Sequence, residues 1–228
     1  YHYSPEKKND EDPIKAYTEE MHLGMWLTGK RVEGSWAHAD EQSSFYELKA
    51  YVMNIFTRLG VNPGIVVTES SDNNVFGKAL ALKARSGKVL CEMGIVSHKL
   101  LKKMDIEQEV FYADINWDNM MRAIKKNEVL YHDICKFPSV SRDLALLLDK
   151  NVQFEQIEQI ARQTEKKLLK SVELFDVYEG KNLPEGKKSY AVNFILQDET
   201  KTLNDKQIEA IMSKLINNLK TKLGAELR

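Results

Sequence analysis

Leu174-Phe-Asp-Val-Tyr-Glu-Gly180, then Lys181-Asn-Leu-Pro-Glu-Gly-Lys-Lys188, then Ser189-Tyr-Ala-Val-Asn-Phe-Ile-Leu-Gln197 is the stretch that decides the fold. Two alternating runs flank a polar loop carrying Gly180, Pro184 and Gly186, the signature of a hairpin with a long connection. Side chains alternate across a strand. Phe175 and Val177 are therefore expected on one face with Tyr190, Val192, Phe194 and Leu196, a face built for a core. Asp176, Tyr178, Ser189, Ala191 and Asn193 are expected on the other. That second face offers a ring, a carboxylate, a hydroxyl and an amide, the equipment of a sheet that reads an unstacked base. Spacing alone equally admits an ordinary solvated face with one tyrosine on it.

The flanks supply the remaining elements. Phe137-Pro-Ser-Val-Ser-Arg-Asp-Leu-Ala-Leu-Leu-Leu148 reads as a strand after a proline break. Phe154, Ile157, Ile160 and Ala161 form a helical stripe within Val152 to Lys167. Asn204 with Gln207 makes a capping box, and Leu203 with Ile208 a hydrophobic staple. That helix continues through Ile211, Met212, Leu215 and Leu219, with Lys220 and Lys222 in its last turn and Gly224 at C′. Ala225 to Arg228 reads as a last short strand. The order βαββαβ predicts a ferredoxin-like layer of two helices on an antiparallel sheet.

This order, with these strings, resembles the C-terminal anticodon-binding domain of the beta chain of bacterial phenylalanyl-tRNA synthetase. The strings are Phe137-Pro138, Ser141-Arg142-Asp143-Leu144-Ala145, Leu174 to Gly180, Leu183 to Gly186, Lys188-Ser189, Ile195 to Asp198 and Thr202-Leu203. Each is weak alone, and together they are specific. Residues 1–135 are similar to the catalytic-like module of the same beta chain, through His22-Leu-Gly24, Phe45-Tyr-Glu-Leu-Lys49 and a hairpin around Ser86-Gly87. Where the family usually has His-Pro-Gly, this chain has Val75-Phe-Gly-Lys-Ala79, so no role is carried to that loop.

The resemblance implies an α+β architecture: an antiparallel-sheet, class II synthetase-like domain over 1–135, then a βαββαβ ferredoxin-like domain over 136–228. It implies a non-catalytic region of a cytoplasmic ligase that acts in protein biosynthesis. Its partners would be phenylalanine tRNA and the alpha chain of an α2β2 heterotetramer. No cofactor is expected on this segment, while the holoenzyme would use ATP and magnesium on the alpha chain. The family's editing site and metal-associated region would lie upstream of Tyr1. Matching positions in the family make Asp176, Tyr178 and Ser189 the tRNA-binding residues, on the first anticodon base.

Composition sets the outer bounds. The chain has 228 residues, 43% hydrophobic and 29% charged, enough for one or two globular domains. No run approaches the ~20 apolar residues of a membrane span. Tyr1-His-Tyr-Ser-Pro5 reads as the cut edge of a longer chain. Cys91 and Cys135 give neither a disulfide framework nor metal spacing, which fits a reducing compartment. Net charge is −1, and no global basic footprint of the kind non-specific RNA binding needs is present. Positive charge is dense only locally, at Lys166, Lys167, Lys170, Lys181, Lys187 and Lys188.

The first part reads as a polar stretch over 4–13 and a hairpin of Met21–Leu27 with Arg31–Trp36. A helix capped by Ser44 and Glu47 follows, ending at Gly60. A second hairpin, Ala79–Arg85 with Lys88–Val96, precedes helices near 97–104 and 118–125 and a strand near 110–115. The linker is expected at His132 to Pro138. Trp26, Trp36 and Phe76 are the candidates for a partner surface, and Trp26, Trp36 and Trp117 are core or interface aromatics.

Chemistry is not signalled. No two glycines are spaced Gly-x-Gly, and neither a P-loop nor a Gly-x-Ser-x-Gly elbow is complete. The five histidines form no ligating pair, and His38 near Asp40 and Glu41 is the best local acid–base candidate. Two readings from other classes remain. One is a ferredoxin-like module binding a protein or small ligand, favoured by a third helix over the second sheet face. The other, a hydrolase, needs a buried His–carboxylate–hydroxyl set.

Overall fold

The computed structural model describes residues 2–8, 12–61, 66–71, 73–127, 131 and 133–228. The chain divides into two compact units, Tyr1–Leu130 and Tyr131–Arg228. His132, the first residue of the expected linker, lies outside the described residues.

The first unit holds β1 (His2–Tyr3), β2 (Tyr17–Thr18), β3 (His22–Thr28), β4 (Lys30–Val32), β5 (Glu41–Gln42), α1 (Phe45–Arg58) and β6 (Val66–Ser71). β7 (Phe76–Ala84), β8 (Val89–Val96), α2 (His98–Lys103), β9 (Val110–Asn116) and α3 (Trp117–Ile124) follow. Its main sheet has the order β3-β9-β8-β7-β6, antiparallel throughout. Leu48, Val52 and Phe56 of α1 and Met120 of α3 close over Leu82, Leu90, Cys91, Met93, Ala113 and Ile115 as one core.

The β7–β8 hairpin forms as expected, and Gly87 takes the positive φ its turn needs (82°). The first expected hairpin does not form. β3 pairs with β9, and β4 pairs with β5. Gly29, at φ 78°, turns the chain out of one sheet and into another rather than back on itself. The capping box at α1 is half made. Ser44 Oγ accepts the Glu47 N–H at 3.3 Å. The Glu47 carboxylate turns away, accepting from Tyr51 Oη at 2.9 Å and lying 3.8 Å from Arg31.

The second unit holds β10 (Val140–Asp149), α4 (Phe154–Thr164), β11 (Leu169–Tyr178), β12 (Lys187–Leu196), α5 (Asp205–Leu223) and β13 (Glu226–Leu227). The sheet order is β11-β12-β10-β13, all pairs antiparallel, the ferredoxin-like arrangement. One face buries Leu146, Leu148, Val172, Val192, Phe194 and Leu196 under Ile157 and Ile160 of α4 and Ile208, Ile211, Leu215 and Leu219 of α5. Truncating a fully buried phenylalanine such as Phe194 to alanine would cost about 3–5 kcal/mol.

α5 begins at the expected box: Asn204 Oδ1 accepts the Gln207 N–H at 2.9 Å, and Gln207 Oε1 accepts the Asn204 N–H at 3.3 Å. It ends at Gly224 in the left-handed region (φ 62°). That reversal sets the last residues onto the β10 edge as β13, where the Arg228 N–H donates to Ala145 O at 3.0 Å.

Candidate nucleic-acid interface

The face opposite α4 and α5 carries no helix among the described residues of its unit. Its layout follows from the register. Tyr178, Ser189, Leu147 and Glu226 lie in one row across the four strands. Asp176, Ala191 and Ala145 form the next, with Arg228 bonded to the backbone of Ala145. Glu173, Asn193 and Asp143 form the third, and Ser171, Ile195 and Ser141 the fourth. The two alanines make a flat floor between a row headed by a ring and a row of polar groups.

Asp176, Tyr178 and Ser189 thus share one sheet face. The partition of the hairpin's apolar residues differs from expectation. Between Leu174 and Asp176 the register shifts: Leu174 pairs with Val192, and Asp176 with the next residue, Ala191. Phe175 is therefore the extra residue of a β-bulge, and it is 60% exposed rather than in the core. Val177 faces Tyr190 in register but is 49% exposed at the strand's end. Val172 and Leu174 pack on the core instead.

Ser189 is buried, at 6% exposure, on the inner strand β12 between Tyr178 and Leu147, so it forms part of the floor. Asp176 is exposed and Tyr178 is 37% exposed. The Tyr178 ring is held on two sides. Its hydroxyl lies so close to Gly180 that a Cβ there would fall 2.4 Å from it. The Arg228 guanidinium sits over the ring, 5.4 Å from its centroid, a cation–π contact. Sequence reasoning missed Arg228, which lies 50 positions from Tyr178. The available signal is the expected strand after the helix-ending Gly224, which carries Arg228 to the β10 edge.

The lysines divide by burial. Lys188 is buried on the core face, where its Nζ donates to Tyr190 Oη at 2.7 Å and lies 4.4 Å from that ring's centroid. Lys187 pairs with Asp149 at 2.9 Å and Lys170 with Glu199 at 2.6 Å. By strand parity the open face carries Asp143, Asp149, Glu173, Asp176 and Glu226 against Arg228 and Lys187, the latter paired with Asp149. Such a face suits the N–H groups of base edges better than a row of phosphates.

In the first unit, Trp26 is 68% exposed and stacks on Tyr112 (4.8 Å, 24°), which stacks on Phe76 (5.8 Å, 22°). Trp36 is fully exposed, as is most of Tyr46 on α1. Phe76 is buried, so as the inner member of that stack it is not an exposed partner residue. Beside the stack, His22 Nδ1 is 2.6 Å from Asp114 Oδ1, and this hydrogen bond raises the imidazole pKa against the opposing effect of burial. Asp40 pairs with Lys30 and Glu41 with Arg31, so the carboxylates near His38 serve other partners. Gly24, Gly29 and Lys30 have the glycine–lysine spacing of a phosphate loop, but the run is strand β3 and Arg31 stands where a hydroxyl is required. Among the described residues no group of three His, Cys, Asp or Glu side chains is placed to hold a metal ion, and no helix is long and apolar enough to cross a membrane.

Fold and register together define a ferredoxin-like domain with one helix-free sheet face. Residues 135–228 match the family model described as the ferredoxin-fold anticodon binding domain, and residues 3–117 match that of the phenylalanyl tRNA synthetase beta chain CLM domain. The chain belongs to the phenylalanine–tRNA ligase beta subunit family. It is 58% identical, over its whole length, to the phenylalanine–tRNA ligase beta subunit of Bacteroides fragilis, and 51% identical to that of Porphyromonas gingivalis, covering 28% of each. It is 34% identical over 92% of its length to that of Syntrophotalea carbinolica, covering 26% of it. The chain thus spans little more than a quarter of the relatives it matches.

Proposed function

We propose that this chain is the tRNA-gripping and scaffolding C-terminal region of a phenylalanine–tRNA ligase beta subunit, without a reaction centre of its own. The second unit binds the anticodon of phenylalanine tRNA on the open face. Tyr178 stacks on the first anticodon base, worth on the order of 1–3 kcal/mol. The Asp176 carboxylate accepts from the N1–H and N2–H of a guanine edge, donors that adenine cannot both supply. Ser189 lies in the floor beneath, and Arg228 stands over the ring, a cation beside the incoming nucleotide.

The observation that carries this reading is the register. It brings a ring, a carboxylate and a hydroxyl onto one helix-free face of a ferredoxin-like sheet in a chain of this family. The absence of a third helix there, among the described residues, disfavours the ligand-binding module.

The first unit is read as a class II synthetase-like module that has kept the sheet and lost the chemistry. Its exposed Trp26, Trp36, Tyr46 and Tyr51 would seat the alpha chain of an α2β2 enzyme in the cytoplasm. Its sequence has no glycine-rich phosphate loop, and among its described residues no carboxylate cluster is placed to hold magnesium. ATP and magnesium would act on the alpha chain.

The test is a titration of the full-length beta subunit, assembled with its alpha chain, with phenylalanine tRNA and with the same tRNA altered at the first anticodon base. Weaker binding of the altered tRNA is expected. Equal binding would refute anticodon recognition by this face.

A further inference from the structure

Where β3 gives way to β4, three stretches of the first unit are tied together at their backbones. The Ser43 N–H donates to Gly29 O at 2.9 Å, and Thr28 Oγ1 donates to Glu109 O at 2.7 Å. Between them lies a cleft of about 180 Å³, lined by Gly29, Gln42, Ser43, Gln108, Glu109 and Phe111. That is roughly the share of six waters in the liquid, at ~30 Å³ each.

The polar side chains of this cleft are uncommitted. Ser43 is 9% exposed, and its Oγ has no hydrogen-bond partner. Leaving a buried hydroxyl unpaired is costly, and folded chains rarely do so unless something else fills the place. Gln42, Gln108 and Glu109 are exposed at the rim. Among the described residues, no hydrogen bond or ion pair engages their side chains. The neighbouring cations are taken: Lys30 pairs with Asp40 at 2.8 Å, and Arg31 with Glu41 at 3.1 Å.

This lining selects among ligands. An anion would meet the Glu109 carboxylate. A divalent cation needs several carboxylates, and Glu109 is the one carboxylate on the cleft. A guanidinium brings five N–H donors in one plane and no acceptor. Two of them match the two oxygens of Glu109, and the others suit a hydroxyl and amide carbonyls. Its weak hydration, compared with an ammonium, tolerates the apolar side that Phe111 and Gly29 supply.

We propose that this cleft is a binding site for a guanidinium group. Glu109 is its counter-charge, Ser43 Oγ its buried acceptor, and the Gln42 and Gln108 carbonyls close the rim. A free small molecule and an arginine of the alpha chain carry the same group. The site is independent of the anticodon reading.

The probe is ethylguanidinium chloride, titrated by saturation-transfer NMR against the full-length beta subunit, alone and then assembled with its alpha chain. The subunit alone should bind it saturably in the millimolar range, and ethylammonium at least about five-fold more weakly. Glu109→Gln should weaken binding at least about ten-fold, because it removes the counter-charge. Ser43→Ala should weaken it at least about three-fold, the effect of roughly one neutral hydrogen bond. Without the probe this variant should melt no lower than wild type, since Ser44 keeps the cap of α1. Loss of probe binding on assembly would assign the cleft to an arginine of the alpha chain, and retained binding to a free small molecule. No saturable binding to the subunit alone, equal binding of the two cations, or wild-type binding in both variants overturns the proposal. So does a lower melting temperature for Ser43→Ala, which would mean that its hydroxyl already has a partner within the chain.

Discussion

Gly180→Ala separates the pose of Tyr178 from the stability of the domain. Gly180 is not among the positive-φ glycines, so alanine suits its backbone. Such a change alone stabilises by about 0.4–1 kcal/mol through the unfolded chain. The added Cβ would lie 2.4 Å from Tyr178 Oη and 2.5 Å from Cζ. Ordinary contact is about 3.5–4.0 Å. The ring, the far end of a half-exposed side chain, must therefore move by about 1 Å. A displacement of that size forfeits roughly a quarter to a half of a close-contact well. Applied to stacking worth about 1–3 kcal/mol, this predicts about two- to ten-fold weaker binding of phenylalanine tRNA. The assay pairs tRNA titration of the assembled enzyme with urea unfolding. Weaker tRNA binding with undiminished stability is expected. Wild-type affinity in Gly180→Ala would show that the observed ring pose does not matter to recognition.

Three further outcomes follow from other sites. The His22 pKa lies above the ~6.5 of an unfolded histidine because of Asp114. Its contribution to stability should therefore be complete below about pH 6.5 and be lost as pH rises through the folded value, a loss that thermal melts of His22→Gln should not show. The Cys91 thiol, fully buried and pushed up to about 12 chiefly by burial, should resist thiol reagents in the native chain while half-buried Cys135 reacts. One thiol titrating natively and two in denaturant is the expected count, and two reactive native thiols would contradict the packing of β8. Asn204→Ala should cost about 1 kcal/mol in unfolding experiments, since it removes the cap from α5.

What the sequence showed and what it hid divide along physical lines. Strictly local signals were legible. The alternation of Tyr190, Val192, Phe194 and Leu196 marked β12, the Asn204–Gln207 pair marked the start of α5, and Gly224 marked its end. Each is a contact between residues a few positions apart, so the sequence carries it directly. The Phe175 bulge was not legible, because an extra residue in one strand leaves no mark until its partner is aligned beside it. The same holds for β3. Thr28-Gly29-Lys30 looks like a hairpin turn, yet His22 pairs with Asn116, chosen by long-range packing rather than by the turn. Asp176, Tyr178 and Ser189 are named by the family resemblance, and strand parity places them on one face because they lie on one hairpin. Arg228, brought to Tyr178 only by closure of the sheet, is not.

The central claim is that the Asp176–Tyr178 face grips the anticodon while the chemistry lies elsewhere. The most direct measurement compares wild type with the Asp176→Ala, Tyr178→Ala double mutant in the assembled enzyme, by phenylalanine tRNA affinity and by tRNA-independent phenylalanine activation. The account predicts at least about ten-fold weaker tRNA binding, or roughly 1.4 kcal/mol, with activation unchanged. Equal tRNA affinity in the two enzymes would contradict it.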